Sequence, residues 1–204
     1  MLDFFLDDFY TSNELLNTPI PELEFCVIDF ETTGLYPYNG DRIVEVGLVR
    51  INTEKILDEL DCLVNPKIPI PEVVSNINHI TQAMVENEPV IEDKIPLILE
   101  FTKNSVLIGH NLSFDLSFLN FQLQKMNLDK VNAWLVDTVK VAKLLLPELP
   151  RFTLGHVTDF LKIKNKGAHR ALADAKATGL VLQALIKKLP PDATLKDLLA
   201  FKLR

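Results

Sequence analysis

Cysteine, tryptophan and glycine are scarce in this chain, whose 204 residues include 2 Cys, 1 Trp and 7 Gly. Cys26 and Cys62 both lie in apolar, strand-like runs, which favours small core residues over a disulfide or a zinc site. No run approaches the roughly 18–20 apolar residues of a membrane span, and residues 1–10 contain no basic residue, unlike a secretory signal. The composition therefore predicts a cytoplasmic protein that does not associate with a membrane.

An excess of positive charge is also lacking. The chain has 21 basic and 28 acidic residues, a net charge of -7, whereas nucleic-acid-binding proteins are usually basic. The acidic excess is concentrated in residues 1–24, which contain six acidic residues and no basic one, while residues 140–170 contain seven basic and two acidic residues. The net charge therefore does not exclude a nucleic-acid partner.

The chain divides by composition into three parts. Residues 1–23 form an acidic N-terminal extension whose spaced aromatic residues are compatible either with an amphipathic helix, folded back or docked on a partner, or with a disordered arm. The sequence Thr18-Pro19-Ile20-Pro21 predicts a stiff extended linker. Residues 24–188 are predicted to be the main domain, and residues 189–204 a C-terminal helical tail.

Alternating apolar patterns in the main domain predict an α/β fold. Strands are predicted near 24–30, 42–51, 55–64, 105–109 and 133–136. Helices are predicted near 71–76, 80–86, 91–103, 113–125 (with Ser113 as its N-cap), 137–146, 153–161, 170–188 and 194–203. A hairpin at residues 51–55 followed by alternating strands and helices predicts a mixed central β-sheet flanked by helices.

Two acidic residues end the first predicted strand, in the sequence VIDFETTGL. Asp29 and Glu31 are two residues apart, so both side chains point to the same face of the strand. Two like charges with poor access to water are costly unless a positive group lies between them. Taken alone, the pair could equally be the solvated end of a strand.

Two further acidic residues lie at comparable places. Asp115 is in the first turn of a predicted helix that follows a buried strand, a place favoured by the helix dipole and also the edge where α/β folds bind ligands. Asp174 shares a helix face with Ala171 and Thr178, and His169 lies in the loop before that helix.

These four carboxylates favour a divalent-cation site. Oxygen ligands without clustered His or Cys favour Mg²⁺ or Mn²⁺ over Zn²⁺. Two such ions about 3.5–4 Å apart support displacement at phosphorus, and a neutral imidazole can take the proton from the attacking water. The residues therefore predict two divalent cations and phosphodiester hydrolysis.

Three ordered motifs, D-F-E-T-T-G-L, H-N-x-x-F-D and H-R-A-L-A-D-A, closely resemble the DEDD exonucleases of the ribonuclease H-like superfamily. The spacing from His169 to Asp174 is that of the DEDDh branch, and within it the chain is similar to the DnaQ-like group, which includes the proofreading epsilon subunit of bacterial DNA polymerase III. The resemblance covers about residues 24–188. The family often has glycine where this chain has His79.

The resemblance implies a role for each matching residue. Asp29, Glu31 and Asp174 would hold one ion, Asp29 and Asp115 the second, and His169 would be the general base. The residues implied to bind the terminal nucleotide are Thr32, Thr33, Leu35, Asn78, Asn111, Phe114 and Phe118. Phe114, Phe118 and Phe121 are also compatible with a stripe of core residues.

The function expected from the resemblance is a metal-dependent 3′→5′ exonuclease. It would act on single-stranded or frayed 3′ ends of DNA and release 5′-mononucleotides, as in proofreading beside a DNA polymerase subunit. The alternatives are an exoribonuclease of the same superfamily, a non-catalytic binding module, and an assembly subunit that docks a polymerase.

Overall fold

The computed structural model describes residues 13–200 and contains one five-stranded mixed sheet. The strands are β1 (Phe25–Thr32), β2 (Ile43–Ile51), β3 (Ile56–Leu63), β4 (Val106–Gly109) and β5 (Leu135–Asp137). Their order is β3-β2-β1-β4-β5, with β1 antiparallel to β2 and parallel to β4. This confirms the predicted mixed sheet and the α/β class.

Nine α-helices occur in the described part of the chain. They are α1 (Asn13–Leu16), α2 (Glu72–Asn78), α3 (Gln82–Val85), α4 (Ile91–Thr102), α5 (Ser113–Lys125), α6 (Thr138–Leu145), α7 (Leu154–Leu161), α8 (Ala171–Ile186) and α9 (Leu195–Ala200). None of the helices in residues 13–200 has the length and apolar character needed to cross a bilayer.

The sheet separates two apolar layers, and the alternation along β1 assigns its side chains to them. Phe25 and Val27 pack in the layer that includes α8, whereas Cys26, Ile28 and Phe30 pack in the layer with α4 and α5. Because side chains alternate along a strand, Asp29 and Glu31 point to the α8 side of the sheet. The strand end predicted to carry the site therefore faces the helix that carries Asp174.

Helix α5 begins as predicted but is capped differently. Ser113 is its first residue, and Leu112 occupies the N-cap position without a side-chain hydrogen bond to the helix. The Ser113 hydroxyl donates instead to the side-chain oxygen of Asn111, at 3.4 Å. The N-cap prediction for Ser113 was therefore wrong, although the start of the helix is correct.

The predicted linker packs into the domain. Ile20 is 1 % exposed and begins a short 3₁₀-helix (Ile20–Glu22), while its N–H donates to the Ala193 carbonyl at 2.9 Å. Pro19 bridges Thr194, and the Leu195 N–H donates to the Thr18 carbonyl at 3.1 Å. The extended-linker prediction was wrong because burial of Ile20 stabilises a folded turn.

The two ends of the described chain share the core of the main domain. Leu15, Leu23 and Leu195 belong to the same apolar layer as the buried residues of β1 and α8. The helix predicted for the acidic extension falls mostly in residues 1–12, outside the described residues, as do residues 201–204. The three-part division of the chain stays a prediction.

Candidate active site

Three carboxylates meet where β1 ends beside α8. One oxygen from each of Asp29, Glu31 and Asp174 lies within 4.8 Å of the other two. β1 supplies the first two because their two-residue spacing places them on one face, and the first turn of α8 supplies the third. All three side chains are partly shielded from solvent. An all-oxygen set of this kind fits a hard divalent cation such as Mg²⁺ or Mn²⁺.

Asp115 reaches the same strand end from the opposite layer. It lies in the first turn of α5, is 4 % exposed, and its Oδ1 accepts the Phe30 N–H at 2.9 Å. Phe30 separates Asp29 from Glu31, so this bond places the fourth carboxylate beside the first two. Asp115 lies outside the group of three oxygens and, with Asp29, could hold a second ion.

Burial and mutual repulsion keep these acids from ionising freely. Burial, reinforced by neighbouring carboxylates, raises the pKa of Glu31 to about 7 and that of Asp115 to about 8. The pKa of Asp29 is raised well above its usual value by burial first and then by Asp115, Asp174 and Glu31. Without a cation the cluster therefore holds protons near neutral pH, and a bound cation would replace them.

Asp174 also organises the loop that carries His169. Its Oδ2 accepts the His169 N–H at 3.0 Å, and its Oδ1 accepts the Asn165 amide at 2.6 Å. The His169 backbone is left-handed, with φ of 67°, and its side chain is exposed. The main chain of His169 is thus fixed to a cluster carboxylate while the imidazole remains accessible to substrate and water.

An ion pair that sequence reasoning missed joins β2 to the start of α8. Glu45 is 1 % exposed and lies opposite Glu31 in the β1–β2 pairing. Its two carboxylate oxygens share the single Arg170 Nε–H, at 2.9 and 3.1 Å, and Glu45 also accepts a bond from Arg170 Nη2 and the Ala171 N–H at 2.8 Å. The signal in the sequence was an acidic residue inside strand β2, whose other residues are apolar apart from Arg50.

The predicted nucleotide-binding threonines hold the turn after β1. The Thr32 hydroxyl donates to the Gly34 carbonyl at 2.6 Å, and the Thr33 hydroxyl accepts the Arg42 N–H at 2.9 Å. Both threonines are buried, whereas Leu35 is 63 % exposed beside them. Of these three predicted contacts, Leu35 is therefore the side chain that substrate reaches most easily.

Asn78 lies beside Glu31 but is 1 % exposed. Its side-chain oxygen accepts the Ile80 N–H at 3.0 Å, and its amide group interacts with the Glu31 carboxyl, which opposes the rise in the pKa of Glu31. The next residue, His79, caps α2 in the left-handed conformation, with φ of 61°. The turn thus takes a conformation that glycine adopts without strain, even though histidine occupies it.

The remaining predicted contacts differ in accessibility. Asn111 is exposed and left-handed, and its N–H donates to Asp137 Oδ1 at 3.0 Å. Phe114 is half-buried, and its ring lies 5.2 Å from that of Phe118, which is 2 % exposed in the core. Asn111 and Phe114 are therefore available to a substrate, whereas Phe118 packs against the Phe114 ring from the core.

The side chain of His110, next to Asn111 in the sequence, is held by hydrogen bonds to other parts of the fold. Its Nε2 lies 2.8 Å from the Phe152 carbonyl and therefore donates to it, and its Nδ1 lies 2.9 Å from the Thr138 hydroxyl. Burial lowers the pKa of His110. The neutral ring thus ties the end of β4 to the start of α6 and to the loop before α7.

Comparison with known proteins gives a consistent picture. The family model for RNase T, described as an exonuclease, matches residues 26–182. The chain is 39% identical over 168 residues to the DNA polymerase III PolC-type of Caldanaerobacter subterraneus subsp. tengcongensis. These 168 residues cover 82% of this chain and 12% of that protein. It is 31% identical over 176 residues to the 3′-5′ exonuclease DinG of Bacillus subtilis, covering 85% of this chain and 19% of that one.

The likeness extends to solved structures. Exonuclease X in complex with 5′ overhanging duplex DNA superposes with a TM-score of 0.65 and 28% sequence identity, covering 80% of this chain and 91% of that one. The predicted ribonuclease H-like fold is thereby confirmed. The chain spans less than a fifth of the length of the two curated relatives, so it corresponds to one part of each.

Proposed function

This chain belongs to the RNase T exonuclease family, and we propose that it removes 5′-mononucleotides stepwise from the 3′ ends of single-stranded or frayed DNA. The observation that carries the proposal is the convergence of Asp29, Glu31 and Asp174 oxygens within 4.8 Å of one another. The names of the relatives support the direction of degradation and DNA as the substrate.

Each site residue receives a role in this proposal. Asp29, Glu31 and Asp174 would hold one divalent cation, and Asp29 with Asp115 a second; Mg²⁺ is the proposed metal, with Mn²⁺ as a substitute. Such ions lower the pKa of water and stabilise charge on the leaving oxygen. The exposed imidazole of His169 takes the proton from the attacking water.

The protein also positions the terminal nucleotide. Leu35 is exposed in the turn after β1, Phe114 is half-buried in the first turn of α5, and Asn111 is exposed just before that helix. The apolar side chain and the aromatic ring would hold an unpaired base through dispersion and stacking. A paired 3′ end would first have to fray to enter.

The relation to a PolC-type polymerase supports a proofreading setting for this activity. The matched residues 26–182 correspond to an exonuclease, so proofreading would require a polymerase partner or polymerase sequence in the same longer protein. Co-purification with a polymerase subunit would test that part of the proposal separately.

The decisive experiment is digestion of 5′-labelled DNA and RNA of one sequence, with paired and mismatched 3′ ends. We expect a Mg²⁺-dependent ladder that shortens from the 3′ end, fastest for single-stranded and mismatched DNA. Equal or faster loss of RNA would instead assign an exoribonuclease, and absence of digestion would refute the proposed activity.

Site variants make this test specific. Asp174→Asn should lower the rate by at least about a hundredfold, because several kcal/mol of charge stabilisation depend on the cation. His169→Ala should lower turnover by about 10²–10⁴-fold while cation binding is retained. Asp159→Asn and His156→Ala are matched controls on α7, where both side chains are exposed, and should digest DNA normally.

A further inference from the structure

An aromatic and basic surface adjoins the candidate site between the turn after β1 and helix α5. We call it the basic surface and define it by Tyr38, Arg42, Lys67, Phe121 and Lys125. Tyr38 is 66 % exposed, and its ring meets that of Phe121 edge-on at 5.0 Å. The Arg42 guanidinium and the Lys125 ammonium lie 5.2 Å and 5.9 Å from the centre of the Phe121 ring.

The cationic residues of the basic surface line a cleft of about 240 Å³. Three cationic side chains, Arg42, Lys67 and Lys125, line it together with one carboxylate, Glu92, which lies 3.4 Å from Lys125 Nζ. Gln122 also lines the cleft, and its side chain interacts with the Glu92 carboxylate. The cleft thus carries an excess of positive charge.

The orientation of the cleft's arginine is set by the protein itself. Arg42 Nη1 donates to the carbonyls of Pro37 and Asp41, at 3.2 and 2.8 Å. The carboxylate of Asp41, the acidic residue next to Arg42, accepts the Tyr36 N–H at 2.9 Å. A guanidinium held in this way keeps its remaining N–H groups in a fixed direction, which lowers the entropic cost of binding an anion.

The basic surface is continuous with the site. Arg42 and Thr33 exchange two hydrogen bonds, N–H to hydroxyl at 2.9 Å and N–H to carbonyl at 2.8 Å. Along α5, the face that begins with Phe114 continues through Phe121 to Lys125, eleven residues or about 16 Å further. A strand whose end lies at the carboxylates can therefore follow this helix face.

We propose that the basic surface binds the phosphodiester backbone of the single strand upstream of its 3′-terminal nucleotide. This inference rests on the proposed exonuclease function, because that function defines which end of the strand enters the site. Phosphates interact with Lys67, Lys125 and Arg42, and a base stacks on the exposed face of Tyr38. Alternating cationic and aromatic groups are the means by which single strands are bound without regard to sequence.

Equilibrium binding tests the proposal without digestion of the probe. All proteins carry Asp174→Asn, and the probe is a 5′-fluorescent oligothymidylate of about twelve nucleotides. The double change Lys67→Gln with Lys125→Gln should weaken binding about tenfold and reduce the slope of log K against log salt by about 1.4, since each single-strand phosphate contact contributes about 0.7.

The matched control removes two lysines at the far end of α8. Lys187 and Lys188 are exposed just beyond that helix, and α8 extends about 24 Å from its first residue beside the carboxylates. Lys187→Gln with Lys188→Gln changes the net charge equally and should leave the salt slope unchanged. Equal slopes for the two double variants would overturn the proposal.

Tyr38 provides an independent test of base stacking. Tyr38→Phe keeps the ring and loses only the weak bond from the hydroxyl to Gln124, at 3.4 Å, so binding should be retained. Tyr38→Ala should weaken binding about tenfold, within the range measured for loss of base–aromatic stacking. Equal affinity of the two variants would remove the stacking role.

Two comparisons distinguish failure of the basic surface from failure of the proposed exonuclease function, and nucleic acid from an acidic protein as the bound partner. In one outcome, the lysine variants show that the oligothymidylate binds through Lys67 and Lys125, but the protein without substitutions digests no DNA. The proposed function then fails, and the basic surface remains a nucleic-acid site. If the protein digests DNA normally and the double lysine variant binds the oligothymidylate with unaltered affinity, only the proposed role of the basic surface is refuted. A peptide of about twelve glutamates that binds as tightly as the oligothymidylate would assign the surface to an acidic protein instead.

Discussion

At the residue scale, the candidate site depends on a balance between buried carboxylates and the groups that make their burial tolerable. Asp29, Glu31 and Asp115 have raised pKa values because burial and mutual repulsion oppose ionisation. Glu45, which is 1 % exposed, is ionically paired with Arg170 and accepts the first N–H of α8. The first three acids are thus free to bind a cation, whereas Glu45 has its own partner.

The raised pKa values predict how the stability of the metal-free protein depends on pH. Between pH 6.5 and 8, the folded protein retains protons on Glu31 and Asp115, whose pKa values are raised to about 7 and about 8, that the unfolded chain has lost. The free energy of unfolding should therefore fall as pH rises through this window, by a few kcal/mol at about 1.4 kcal/mol per pKa unit. His110, whose pKa is lowered, has the opposite effect but mainly below pH about 6.5.

Urea denaturation in EDTA at pH 6.5 and at pH 8 measures this fall. Mg²⁺ should abolish much of it, because a bound cation stabilises the ionised acids. Glu31→Gln should flatten the dependence in EDTA by removing a group that titrates within this window. A stability that rises between these two pH values would contradict the prediction.

The Glu45–Arg170 pair yields a second prediction at this scale. Arg170→Met should destabilise the protein by about 3 kcal/mol, since it leaves a buried carboxylate without its cation. Adding Glu45→Gln should restore most of that loss because the unpaired charge disappears. The free energy of unfolding of the two single variants and the double variant provides the coupling between the residues.

An exposed ion pair provides the control for this cycle. Lys176 Nζ lies 2.7 Å from Glu59, and each side chain is more than a third exposed. Lys176→Gln should cost at most about 1 kcal/mol, as exposed pairs do. If Arg170→Met were no more costly than Lys176→Gln, Glu45 would be stabilised by the helix N–H alone.

At the scale of elements, the site requires α8 to lie very close to β2. A Cβ added to Gly47 of β2 would lie 2.2 Å from the Ala171 carbonyl carbon and 2.3 Å from the Leu172 nitrogen. Both atoms belong to the backbone of the first turn of α8, the turn that also carries Asp174. The missing side chain at Gly47 thus allows the helix to bring its carboxylate to the strand end.

Gly47→Ala should therefore displace the start of α8. We expect a loss of about 3 kcal/mol in the free energy of unfolding, as for an overpacked core, and weaker Mn²⁺ binding because Asp174 moves. Calorimetric titration with Mn²⁺ and urea denaturation measure the two effects.

Gly155 is the matched control, since an added Cβ there meets no atom within 4 Å. It lies in α7, where Gly155→Ala should stabilise the protein by about 0.5–1 kcal/mol through helix propensity and leave Mn²⁺ binding unchanged. If Gly47→Ala and Gly155→Ala had the same effects on stability and on Mn²⁺ binding, the close approach of α8 to Gly47 would not be required for the site.

At the scale of the whole molecule, both ends of the described chain close the apolar layer behind the site. Leu15 of α1 and Leu195 of α9 are buried in the cluster that also contains Val27 and Val181. The bridge between Pro19 and Thr194 joins the two ends to each other. The segments outside residues 24–188 thus contribute to the same core, even though the family match covers only 26–182.

Leu195→Ala should destabilise the entire protein. Removing a fully buried leucine side chain costs about 2–5 kcal/mol, whereas Leu180→Ala, on the exposed face of α8, should cost much less. Unfolding followed by Trp134 fluorescence and by far-ultraviolet circular dichroism should give one coincident transition in both variants. A separate early transition in the Leu195 variant would show that the ends unfold independently.

Local spacing in the sequence predicts the helices, the strands and the candidate acids, because each of these depends on residues that are neighbours along the chain. Alternation along β1 placed Asp29 and Glu31 on one face, and the pattern of apolar residues predicted α5 and α8 within two residues of their bounds. The resemblance to a known exonuclease family added the roles, which spacing alone does not contain.

The groups that meet across the sheet could be identified only from the folded chain. The bond from Phe30 to Asp115, the Glu45–Arg170 pair and the approach of α8 at Gly47 each join residues more than 80 positions apart. The fold also engaged the Thr32 and Thr33 hydroxyls in a turn and buried Ile20 of the expected linker. Such contacts depend on strand register and packing of distant segments, which no local pattern records.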